Sequence, residues 1–115
     1  MDINNYIMRN RNAWGLCPMI VCESGLSMSV QATEAHFCEP RNNAGPYRSV
    51  EVHTEGRVEQ LEPYRGWMGK RHYHEVPVGV VESIVEANGG LSLGKLQESK
   101  RSVRAWLTRL FTVGK

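Results

Sequence analysis

Four residues have the types and spacing to do chemistry. His36 and Cys38 form an H-x-C pair, and His72 and His74 form an H-x-H pair. Alternate side chains on a strand share a face, so two such pairs on neighbouring strands would converge as the four ligands of a tetrahedral zinc site. The wider spacing does not match an established zinc motif. There is no C-x-x-C, no H-E-x-x-H and no pair of histidines at i, i+4. Two strand histidines and a loop thiol, without metal, is therefore the favoured reading. Cys38 is also a candidate nucleophile, with His36, His53 or His72 as its base and Arg41 close enough in sequence to lower its pKa. A lone cysteine in a Pro/Asn loop is more often a small packed residue, and that reading is preferred.

Two further groups point to binding rather than catalysis. Arg41, Asn42, Asn43 and Gly45 offer a guanidinium and turn amides to an anion. They are not followed by the helix of a P-loop, and turn formation explains the same residues. No cofactor is expected. The second group is the C-terminal run, where Lys100, Arg101, Arg104 and Arg109 lie opposite an apolar face of Val103, Trp106, Leu107, Leu110 and Phe111. The apolar face is expected to dock on the body of the fold, leaving the basic face for a partner protein or for nucleic-acid phosphates. Arg41 joins those four basic residues as a partner-binding candidate.

These residues need elements to position them. Leu26, Met28, Val30 and Ala32 alternate with Ser27, Ser29, Gln31 and Thr33, the period of a half-buried strand. A loop dense in Pro, Asn and Gly follows over 38–47. A second strand spans 48–54, with Val50 and Val52 inward and Ser49, Glu51 and His53 outward. Residues 71–76 form a third, which places His72, His74 and Val76 on one face and Arg71, Tyr73 and Glu75 on the other. A fourth is available at Met19–Cys22. One helical turn around Val58 and Leu61 is expected to end at Pro63. Pro77 then opens a helix striped with Val78, Val81, Ile84 and Val85, which Gly89 and Gly90 stop. A last helix is expected over about 97–111. Residues 1–25 read as a poorly defined segment, its first half loop or frayed terminus.

Composition sets the class. The 115 residues are 41% hydrophobic and 23% charged, which suits one folded domain rather than disorder. The longest apolar run, Leu16–Cys22, is too short to span a membrane and lacks the flanks of a secretory signal, so a cytoplasmic location is expected. Three cysteines argue for reduced thiols. Net charge is divided unevenly along the chain. Residues 1–90 hold eight Lys/Arg and eleven Asp/Glu, a net of −3, whereas residues 91–115 hold six Lys/Arg and one Glu, a net of +5. The expected architecture is α+β: an antiparallel sheet of three to four strands packed against two helices, over residues 26–115.

The stretch Ser29–Val52 resembles a group of small phage and prophage proteins. The matching residues are Val30, Gln31, Ala32, Phe37, Cys38, Pro40, Arg41, Gly45, Pro46, Tyr47, Val50, Glu51 and Val52, with a similar strand and helix over Tyr73–Gly90. The segment after Val52 departs from the group's Gly-Phe-Pro continuation. The resemblance covers about residues 28–90 and implies a phage or prophage origin, hence the cytoplasm of a host cell. No activity attaches to the group, so no functional residue is carried over from it. The expectation is a non-catalytic accessory protein that binds a host or phage protein or nucleic acid, with antagonism of a host defence or nucleic-acid-handling system as its role. A small metal- or thiol-dependent enzyme built on Cys38 and the histidines is the alternative.

Overall fold

In a computed structural model of the chain, residues 1–94 are described. They form helix α1 (Ile3–Asn10), strands β1 (Ile20–Val21), β2 (Ser27–Gln31) and β3 (Ser49–Thr54), a 3-10 helix (Glu59–Tyr64), strand β4 (His72–Pro77) and helix α2 (Val78–Ala87). The fold is α+β: the four strands make one antiparallel sheet in the order β1-β2-β3-β4. The expected C-terminal helix, with Lys100, Arg101, Arg104 and Arg109, lies outside the described residues.

Local chemistry sets each hairpin. The β1–β2 turn has Gly25 at φ +97, with Gly25 N–H bonded to Cys22 O and Cys22 N–H to Leu26 O. This is a three-residue hairpin loop closed by a left-handed glycine. Extending the β1–β2 register past Pro18 puts Cys17 opposite Gln31. There the Gln31 carboxamide bonds both Cys17 N–H and Cys17 O at 2.9 Å, standing in for the backbone ladder. At the far end of the chain, α2 follows Pro77 directly and stops at Gly89 and Gly90, both at φ near +85.

The inner face of the sheet buries Met28, Val30, Val50, Val52, Tyr73 and Val76. Val81, Ile84 and Val85 of α2 join them in a single core with Ile3, Tyr6 and Ile7 of α1. The first half of the 1–25 segment is therefore not loop. Ile3, Tyr6 and Ile7 recur at helical spacing, and Asp2 caps the helix by accepting from Asn5 N–H at 3.0 Å. Glu82 of α2 accepts from Ile3 N–H at 2.9 Å, so the two helices are tied end to flank. The remainder of the segment is also built in: Cys17, Ile20 and Cys22 lie in the core. Among the described residues, the second helix covering the sheet is thus α1.

Both sheet edges are occupied by passing chain. Beside β1, Ser92 N–H bonds Val21 O, Glu23 N–H bonds Gly90 O, and Cys22 bridges Leu91. Beside β4, Gly66 N–H bonds His72 O and Arg65 bridges Tyr73.

Candidate partner-binding site

The site begins with one extra residue in β4. Val50 pairs with Val76, but Val52 pairs with Tyr73, so three residues of β4 run alongside two of β3. The surplus is taken up at Glu75, which has φ +51. A bulge of this kind re-aims the side chains beyond it. Strict alternation would set Tyr73 opposite Val76, as the sequence pattern suggests. The bulge instead turns both inward, and both are fully buried. His72 and His74 are left on the outer face.

The bulge also frees an amide. Glu75 N–H donates to Phe37 O at 3.0 Å, and Phe37 N–H donates to the Glu51 carboxylate at 3.1 Å. Phe37 is thereby fastened across the outer face through both backbone groups. Its ring lies on the His74 imidazole, with centroids 4.0 Å apart and planes 12° from parallel. The Arg41 guanidinium carbon sits 4.5 Å from the Phe37 centroid on a cation–π contact. Below, His74 rests on Gly66, where an added Cβ would fall 2.3 Å from the imidazole Nε2. The Nε2 atom is itself buried without a hydrogen bond. Trp67 stands edge-on to both rings, its centroid 6.0 Å from that of Phe37 and 6.2 Å from that of His74. It is 79% exposed, and Met68 beside it is 48% exposed. The result is a ledge of stacked aromatic and cationic groups with a projecting indole.

A row of polar groups runs beside the ledge. Ser29, His53 and His72 lie opposite one another across β2, β3 and β4. The His53 and His72 rings are 4.8 Å apart, and His72 Nε2 is 4.0 Å from Glu51 Oε2.

The four metal candidates do not converge. Among the described residues no three His, Cys, Asp or Glu side chains are grouped to hold a metal ion. His36 turns to Thr33, with Nδ1 2.6 Å from its hydroxyl, and burial lowers its pKa against the opposing pull of Glu51. Cys38 is 3% exposed and donates its thiol proton to Thr33 O at 3.2 Å. Burial raises the Cys38 pKa, and the Thr33 contact and Arg41 offset this only in part. That is the reverse of what a nucleophilic thiol needs. His72 and His74 stand on the outer face, in the polar row and the ledge just described.

The Gly45 amide and the Asn42 and Asn43 side chains, proposed for an anion, are engaged within the fold. The Asn42 side chain accepts from Ala44 N–H and Gly45 N–H, and Asn43 accepts from Glu34 N–H. The loop is clamped from α1: Asn4 bonds both Tyr47 N–H and Tyr47 O, while Arg11 donates to Ala32 O, Asn43 O and the Tyr47 hydroxyl. Arg41 is exposed, as are Asn42 and Asn43. The Arg41 Nε donates to His36 O, and among the described residues Arg41 makes no ion pair.

Phe37, Gly66 and Glu75 are positions of the candidate site that sequence reasoning missed, and Trp67, which by its type and its glycine-flanked corner reads as a lid on the core, is instead 79% exposed. One signal was available: Tyr73 and Val76 are large apolar residues three apart in a strand, an interval that buries both only if a residue bulges between them. Comparison with protein-family models, curated sequences and solved structures finds no match to this chain.

Proposed function

We propose that this chain is a small non-catalytic binding protein of phage type that docks the Trp67 ledge on a partner protein, and through that contact antagonises a host defence or nucleic-acid-handling system. The observation that carries the reading is an indole left 79% exposed, edge-on to the stacked Phe37 and His74 rings, with Arg41 over Phe37. Trp, Tyr and Arg dominate the energetics of protein interfaces, and an anchor held in place before contact loses little entropy on binding. Burial of Cys38 and the separation of His36 and Cys38 from His72 and His74 favour binding over the thiol or metal enzyme. Phage origin rests on the sequence resemblance alone.

The test presents immobilised full chain and its Trp67→Ala variant to a host-cell lysate. One dominant protein retained by the parent and lost by a variant of unchanged melting temperature supports the reading. Equal retention by both, or retention of nothing, overturns it. Contact of Lys100, Arg101, Arg104 and Arg109 with nucleic-acid phosphates is a separate proposal resting on charge. Binding that does not weaken as salt rises removes it.

A further inference from the structure

We infer that what docks on the Trp67 ledge is an acidic segment of the partner protein carrying an apolar residue. The inference rests on the docking reading above and adds the chemistry of the occupant. Its apolar half follows from Trp67 and Met68, adjacent and exposed at the tip of one loop. Side chains of this kind gain most by covering apolar surface on a partner.

The acidic half follows from which charges are already paired. Lys70 and Arg71 follow Trp67 and Met68 closely in the chain, and Arg41 caps the stack on Phe37. Among the described residues none of these three cations has a carboxylate partner. Arg71 Nε reaches only Glu55 O, at 3.5 Å. The nearby carboxylates are mostly engaged. Glu51 holds Phe37 N–H and faces His72, Glu39 pairs with Arg48, and Glu62 pairs with Arg57 and Arg65. Glu55 and Glu75 are the exposed exceptions, and neither pairs with Arg41, Lys70 or Arg71. With the Arg41 guanidinium carbon over Phe37 and its Nε bonded to His36 O, its two Nη groups are left to take a carboxylate.

Carboxylates fit better than a nucleic-acid backbone. A polyanion needs cations along its whole path. The rest of the outer face offers Ser27, Ser29, Gln31, Glu51, His53 and His72 but no Lys or Arg, and residues 1–94 carry eleven Asp/Glu against eight Lys/Arg. A short peptide with two or three acids needs only as many cations.

The test is an NMR titration of the isotope-labelled full chain. The probe is an eight-residue peptide with Asp and Glu flanking a Leu-Phe pair. Three comparison probes are the same peptide with Lys for every acid, the same with Ala for Leu-Phe, and an eight-nucleotide oligothymidine. The acidic apolar peptide is expected to shift the Trp67 indole N–H and Arg41 Nε–H resonances. Arg41→Glu should weaken binding at least tenfold, and Trp67→Ala should abolish it. No shift at millimolar peptide, equal shifts from the lysine peptide, or tighter binding of the oligothymidine at the Trp67 and Arg41 resonances overturns the inference. The docking reading fails separately: a lysate partner lost with Trp67→Ala but retained in full by Arg41→Glu keeps docking and removes the acidic occupant.

Discussion

Replacing Gly66 with Ala should dismantle the ledge from below. The added Cβ would lie 2.3, 2.4 and 2.5 Å from Nε2, Cε1 and Cδ2 of His74. Restoring van der Waals contact at about 3.6 Å requires the imidazole to retreat by about 1.2 Å. Its other face already meets Phe37 at 4.0 Å, and Phe37 is fixed through Glu51 and Glu75. The ring must therefore leave the stack or push Phe37 off its two backbone bonds. Overpacking of this kind costs about 1–3 kcal/mol. Urea denaturation of Gly66→Ala should show a loss in that range, and the ring-current shift of the His74 protons by Phe37 should collapse. The double variant Gly66→Ala/His74→Ala removes the obstructing ring, so it should be no less stable than His74→Ala alone. A Gly66→Ala protein within about 0.5 kcal/mol of the parent, with the His74 ring-current shift intact, would refute the stacking argument.

Two other measurements probe the core. Tyr73 is fully buried and its hydroxyl has no hydrogen-bond partner among the described residues; Tyr73→Phe should gain about 1 kcal/mol, read as a higher urea midpoint at unchanged slope, and a loss of stability would show that the hydroxyl is satisfied. Burial pushes the Cys17 thiol up from its ordinary 9.0 to about 11, and it raises the Cys22 and Cys38 thiols in the same direction. The folded state thus prefers the protonated thiol, so this contribution is complete below pH 9 and lost as pH rises through about 11. The urea midpoint should fall across that interval, and Cys17→Ala should flatten the fall; an equal decline in the variant refutes the assignment to Cys17.

How far the sequence could be read depends on how local each determinant is. β2, β3 and α2 follow from periods carried by consecutive residues, and the two-glycine stop sits where Asn88-Gly89-Gly90 places it. Helix α1 escaped because INNYIMRN is poor in strong helix formers, and only Ile3, Tyr6 and Ile7 reveal its face. The β4 faces were misassigned because Glu75 takes a left-handed conformation usually marked by Gly or Asn. The ledge was illegible for a different reason. Phe37, Gly66 and His74 come from three separate segments, and only the bulge brings them together. His36 and Cys38 suggested chemistry through spacing alone, yet their neighbour Thr33 absorbs both.

The occupied edges of the sheet limit how the molecule can grow or be joined. A sheet with a bare margin can recruit a strand from a client or from its own copy and extend into fibres. Here Ser92 and Gly90 have taken the margin at β1, and Gly66 that at β4. Recruitment by backbone pairing is denied at those places, which among the described residues leaves displayed side chains as the means of contact there. Such contacts are selective, because they depend on which residues are displayed. At those places edge closure removes one route to strand-by-strand polymerisation.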